Sequence, residues 1–177
     1  LLDEDVFGIE QSENHITAKQ GNIVTGNEND KITLTNTITN GNPLTLTLNT
    51  GDGNDIININ HEIYTSQINL GNGNDTINIK NRNYLSDPIE LGEGDDKITV
   101  SEGYIIVNSG AGDDTISSKG EKVTLVVNVA ETTGDDVIEQ GKGTLILDFT
   151  GIEEENVKFE ASGNDLLIKV NNSTLTV

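Results

Sequence analysis

The chain contains no cysteine, no methionine and no tryptophan, and only 2 prolines, in 177 residues. The missing cysteine removes disulfides, zinc–thiolate centres and thiol nucleophiles together, so any staple must be of another kind. Aromatic residues make up 3% and apolar residues 33%, too little for a broad globular core but enough for a narrow one lined by small branched side chains. Positive charge is equally scarce, with 10 Lys+Arg against 30 Asp+Glu, a net charge of -20 and a pI near 4.1. That balance excludes nucleic acid, whose phosphates need a basic stripe, and excludes anionic membrane surfaces unless a cation bridges the two. So much like charge with so little apolar mass is the composition of a disordered chain. A folded state therefore calls for counter-charge.

Two further absences matter. No apolar run reaches the length of a membrane span, and the start Leu1-Leu2-Asp3-Glu4-Asp5 lacks a signal-peptide pattern, so the chain reads as an excised piece forming one domain. The ingredients of catalysis are missing as well. His15 and His61 stand alone, Arg82 is the single arginine, and no nucleophile motif occurs. An enzyme is not expected.

What the chain does have is glycine in a repeating grammar. Gly51-Asp52-Gly53-Asn54-Asp55, Gly71-Asn72-Gly73-Asn74-Asp75, Gly92-Glu93-Gly94-Asp95-Asp96 and Gly110-Ala111-Gly112-Asp113-Asp114 each lead into a short apolar run. Two weaker members extend the register, Gly26-Asn27-Glu28-Asn29-Asp30 and Thr132-Thr133-Gly134-Asp135-Asp136. The interval between the final Asp residues is about 20 residues, and a fixed period of this length marks a solenoid. An apolar residue follows two places after each Asp (Ile32, Ile57, Ile77, Ile98, Ile116, Ile138), often with a second after one polar residue (Leu34, Ile59, Ile79, Val100). This alternation is that of a strand with one inward face. A second strand precedes each loop: Leu44–Leu48, Ile68–Leu70, Ile89–Leu91, Ile105–Val107 and Leu125–Val127. Two strands and two turns per coil predict a right-handed parallel β-roll or β-helix with coils about 4.8 Å apart.

A loop with two glycines and a terminal Asp places backbone carbonyls and a carboxylate around a tight turn. Calcium, which takes about six to eight oxygen ligands in flexible geometry, suits it better than magnesium with its strict octahedron. Stacking like charges in successive coils gains nothing without a cation. The metal-site candidates are therefore Gly51, Gly53, Asp55, Gly71, Gly73, Asp75, Gly92, Gly94, Asp96, Gly110, Gly112 and Asp114, with Asp30 and Asp136 in the degraded loops.

The opposite edge lacks this grammar, so cations are expected on one edge only. There Tyr64, Tyr84 and Tyr104, all of the tyrosines, share a register. Aromatic stacking over the ion-free edge is one reading and a platform for sugar rings the other. The Glu153-Glu154-Glu155 run is a solvated face. After Gly143 the period is lost. Val157 and Phe159, then Leu166, Ile168 and Val170, alternate around Ser162-Gly163-Asn164-Asp165, the pattern of a hairpin that closes an open solenoid end. The predicted organisation is a lead-in over 1–20, a solenoid over 21–143 and an antiparallel β cap over 144–177.

The loops resemble the RTX (repeats-in-toxin) family, whose nonapeptide reads Gly-Gly-x-Gly-x-Asp-x-apolar-x and folds as a calcium β-roll. Thr50 to Asn58 fits at every position but the first, as do Leu70 to Asn78, Leu91 to Thr99 and Ser109 to Ser117. The segment from Phe149 through Ile168 also resembles the stretch common on the C-terminal side of RTX arrays. The resemblance implies that Asp55, Asp75, Asp96 and Asp114, with loop carbonyls, bind calcium, and that the chain is exported by bacterial type I secretion and folds outside the cell. Family arrays repeat every nine residues and load both edges, whereas here alternate half-turns carry the motif. The parent reads as a surface-layer protein or adhesin, with self-association or a cell-surface glycan as further partner. The alternatives are a carbohydrate-binding or polysaccharide-modifying solenoid using Arg82, Tyr84 and Asp87, or the repeat domain of a pore-forming toxin.

Overall fold

The computed structural model describes residues 6–9, 14–16, 21–34, 46–60, 62–63 and 67–177. The chain runs through β1 (Val6–Ile9), β2 (Asn14–Ile16), β3 (Gly21–Thr25), β4 (Lys31–Leu34), β5 (Leu46–Asn49), β6 (Ile56–Ile59), β7 (Gln67–Asn69) and β8 (Thr76–Ile79). It continues through β9 (Asn83–Tyr84), β10 (Ile89–Glu90), β11 (Lys97–Val100), β12 (Gly103–Asn108), β13 (Gly110–Ala111), β14 (Thr115–Ser118), β15 (Val123–Asn128), β16 (Thr132–Thr133) and β17 (Asp135–Gln140). It ends with β18 (Thr144–Asp148), β19 (Val157–Ser162), β20 (Asp165–Val170) and β21 (Ser173–Thr176).

These strands form a parallel β-solenoid with an antiparallel group at its C-terminal end. One sheet has the order β1-β3-β5-β7-β10-β12-β15-β18, with β9 beside β12, and the other β19-β20-β21-β17-β14-β11-β8-β6-β4-β2. Alternation in the sequence becomes alternation in burial. Strands β4, β6 and β11 run exposed, buried, half-buried, buried. Because the coils pair in register, Ile32, Ile57, Ile77, Ile98, Ile116 and Ile138 form one continuous column down the second sheet. Each is at most 3% exposed, and burying such a side chain is worth about 1.5–3 kcal/mol. Leu48, Ile68, Ile89, Val107 and Val127 face them from the first sheet.

Parallel stacking runs further at both ends than periodicity suggested. Strand β18, past Gly143, pairs in parallel with β15 from Thr144 to Asp148. Strands β1 and β2 pair in parallel with β3 and β4, so part of 1–20 belongs to the solenoid, and its other positions lie outside the described residues. The C-terminal hairpin stands where the sequence placed it. Strands β19 and β20 pair from Val157↔Val170 to Ser162↔Asp165, and β21 joins the group to the solenoid by pairing in parallel with β17. Phe149 and Ile152 pack against the core at this end.

The loop glycines are there because neighbouring coils touch. Gly71 has φ +97°, and a Cβ on it would lie 1.8 Å from the Gly51 carbonyl oxygen. Gly73, at φ +126°, would meet the Gly53 oxygen at 1.9 Å. Gly151 is the useful contrast, with φ +89° but nothing within 4 Å of its Cβ position. Gly151→Ala therefore carries only the left-handed backbone cost of about 1–2 kcal/mol, whereas Gly71→Ala adds a backbone clash and should cost more than about 3 kcal/mol. Urea unfolding of the two variants under one condition measures the difference. Equal losses would remove inter-coil contact as the reason for glycine.

Candidate functional site

Each glycine loop turns the chain from the first sheet to the second, so the Asp that ends it stands at the entrance to the core. Positive φ at Gly51, Gly53, Gly71, Gly73, Gly92, Gly94, Gly110 and Gly112 shapes the turns. The register then places Asp30, Asp55, Asp75, Asp96, Asp114 and Asp136 one above another, all 1% to 2% exposed. The candidates are thus brought together as a buried column.

One oxygen of each carboxylate after the first ties two coils. The backbone N–H of Asp30 donates to Asp55 Oδ1, that of Asp55 to Asp75 Oδ1 and that of Asp75 to Asp96 Oδ1, each at 2.7 Å. Asp96 N–H continues to Asp114 Oδ1 at 2.8 Å, and Asp114 N–H to Asp136 Oδ1 at 3.0 Å. The second oxygen has no such place. Oδ2 of Asp55, Asp75, Asp96 and Asp114 and both oxygens of Asp30 are buried without a hydrogen-bond partner. Asp136 Oδ2 differs, accepting from Ser109 Oγ at 3.0 Å.

A buried carboxylate with one bare oxygen resists ionisation. Burial pushes Asp75 and Asp114 up to about 7, Asp96 to about 8 and Asp136 to about 6, against an ordinary 3.8. The N–H donors, with the Thr50 hydroxyl near Asp55 and the Ser109 hydroxyl near Asp114 and Asp136, pull in the opposite direction without overcoming burial, and carboxylates in the adjacent coils raise Asp75, Asp96 and Asp114 further. Asp55 is raised for the same first reason. Alone, Asp55, Asp75, Asp96, Asp114 and Asp136 thus favour a proton or a neighbouring cation over the bare charge.

The loop carbonyls already work between coils. Gly53 N–H donates to the Asn72 carbonyl at 2.8 Å, Gly73 N–H to Glu93 and Gly94 N–H to Ala111 at 2.7 Å. Each carbonyl keeps a second lone pair. Among the described residues no three carboxylates or imidazoles converge on one point, because the acids form a line. A cation there would complete its shell with carbonyls and water.

Sequence reasoning missed a second column. The residue before each Asp also ties coils, in the reverse sense: Asn54 N–H donates to Asn29 Oδ1 and Asn74 N–H to Asn54 Oδ1, both at 2.7 Å. Asp95 N–H reaches Asn74 Oδ1 and Asp113 N–H reaches Asp95 Oδ1 at 3.0 Å, and Asp135 N–H reaches Asp113 Oδ1 at 2.9 Å. Its signal was present, since each of these positions holds Asn or Asp. The two columns differ in what they admit. The exposed column accepts Asn and Asp alike, whereas the buried one holds Asp at every level. A neutral amide would satisfy the N–H just as well, so the hydrogen bond alone does not account for the acid.

The degraded loops and the departures from the nonapeptide also find reasons. Thr132 replaces a glycine because its backbone is extended, at φ -97° and ψ 134°. Thr50, Leu70, Leu91 and Ser109, which stand where the family pattern has its first glycine, are fully buried. That position fills the corner of the core. On the opposite edge Tyr84 and Tyr104 stack with ring centroids 5.1 Å apart. Tyr64 and His61 lie outside the described residues.

The pKa shifts set a sign. With Asp75, Asp96, Asp114 and Asp136 raised, the folded state holds protons that unfolded aspartates shed above about 4, so without metal the stability falls as pH rises from about 4 and levels off above about 6 to 8. Chelated protein should show a cooperative melt at pH 5 that weakens and is lost toward pH 8, and Asp96→Asn should flatten the dependence. Calorimetry across pH checks it; a melting temperature that rises toward pH 8 would contradict the burial argument. No protein-family model matches the chain, and no curated protein matches it.

Proposed function

We propose that this chain is a calcium-binding structural module of a secreted bacterial protein, whose solenoid folds outside the cell when calcium enters the aspartate column. The observation that carries this reading is the row of buried carboxylate oxygens without partners on Asp30, Asp55, Asp75, Asp96 and Asp114. The donor set fits the ion: hard oxygens only, carboxylate and carbonyl, in loops without a rigid octahedron. Bound calcium supplies positive charge, which favours the ionised carboxylates, and it stabilises only the state in which the coils are stacked. At calcium 100-fold above the dissociation constant, each site adds about 2.7 kcal/mol to folding.

The charge balance points the same way. A chain of net charge -20 repels itself when extended and more so when compact. Cytosol-like calcium leaves it unfolded and transport-competent, and extracellular calcium orders it, as the resemblance to RTX arrays implies. The parent is a surface-layer protein or an adhesin in this reading, with the solenoid as a rigid spacer.

At pH 7.5 in chelator the circular dichroism spectrum should be that of a coil, turning to β on calcium addition. A spectrum and melting temperature indifferent to calcium would end the proposal. Within the column, Asp75 bridges Asp55 and Asp96 whereas Asp30 ends the row. Asp75→Asn should therefore raise the calcium midpoint severalfold and Asp30→Asn much less. Isothermal titration of both variants reads the difference, and equal midpoints would contradict the placement.

A further inference from the structure

Strand β19 is the outermost strand of its sheet. From Lys158 to Ser162 every residue is exposed, and Phe159 is 61% exposed despite an edge-to-face contact with Phe149 at 6.0 Å. Natural edges are shielded by proline, bulges, inward charges or edge lysines, and of these β19 carries Lys158. This one is straight, with each residue from Val157 to Ser162 paired in turn on its inner side.

The hydrogen-bond parity says which groups face outward. Leu166 and Val177 exchange both backbone bonds, at 2.9 Å each, so along β20 the residues in step with Leu166 bond to β21. Asp165, Leu167 and Lys169 then bond to β19, through their partners Ser162, Glu160 and Lys158. Asn171 N–H donating to the Asn156 carbonyl agrees with this parity. Val157, Phe159 and Ala161 are left with N–H and C=O directed at the open edge, and among the described residues no strand pairs there.

We infer that two copies of this chain pair through β19, antiparallel about a twofold axis at Phe159. In that register Phe159 faces its own copy as a hydrogen-bonded pair, and Val157 faces Ala161 on both sides, so every outward N–H meets an outward carbonyl. The charges agree as well. Lys158 of each copy comes opposite Glu160 of the other, twice by symmetry. Within one chain Lys158 lies opposite Lys169, while Glu160 pairs diagonally with Lys169 at 2.7 Å. The second copy thus supplies the acid that Lys158 lacks across its own hairpin. On the other face the apolar side chains Val157, Phe159 and Ala161 meet their copies, covering Phe159. A patch that complements itself closes as a dimer whenever the chain is folded.

Sedimentation velocity from 1 to 200 μM, in a buffer where circular dichroism shows the protein folded, should give a concentration-dependent dimer. A monomer throughout that range overturns the proposal. Ala161→Pro removes only an outward N–H, so it should abolish the dimer with the β spectrum intact. Lys158→Glu or Glu160→Lys alone sets like charges together twice and should weaken association about tenfold. The double variant Lys158→Glu/Glu160→Lys should restore it, and this arm decides the matter if Ala161→Pro fails to fold. A dimer that ignores both the proline and the charge exchange lies elsewhere and refutes this interface.

Discussion

The structure depends on what balances a buried row of carboxylates. Desolvating a charged acid without a partner is unfavourable by several kcal/mol, and stacking the next acid one strand spacing away compounds it. The backbone N–H of the coil before satisfies one oxygen of every acid after Asp30. The oxygens left bare on Asp30, Asp55, Asp75, Asp96 and Asp114 leave the row short of partners. The rest of the molecule follows from keeping that row aligned: parallel register, a constant loop length and glycine wherever one turn rests on another.

The apolar core is consistent with this dependence. Columns such as Ile57-Ile77-Ile98 are fully buried, but each coil contributes only a few side chains, and adding a coil adds a few more along with another acid. Stability in such a stack is close to a sum over neighbours, so hydrophobic gain and electrostatic cost grow together. Counter-charge shifts every level at once.

The C-terminal end shows the same economy with a different outcome. The first sheet stops at β18, while the second runs on through β21, β20 and β19. The antiparallel group closes the core with Leu175 and Ile168, at 3% or less exposure, yet it moves the sheet edge outward to β19 instead of removing it. A cap of this kind solves the problem of the open cross-section and leaves the problem of the open edge.

Much of this was legible in the residues. The solenoid, its strand faces, the hairpin and the Asp candidates were readable because each depends on local spacing: period two for the strands, about 20 residues for the coils, turn chemistry at Ser162–Asp165. The strands past Gly143 and before Gly21 were not, because β18, β1 and β2 keep the stack by backbone pairing after the glycine grammar has lapsed. Chain order and residue type alone determined that acids would align and that small residues must stand where turns meet. Only the tertiary structure decided that the acids face inward, that one oxygen of each acid after Asp30 is already bonded, and that the residue before each Asp forms a second column running the other way. Whether a carboxylate is solvated or buried depends on which coil lies beside it, and that contact is made across the stack, not along the chain.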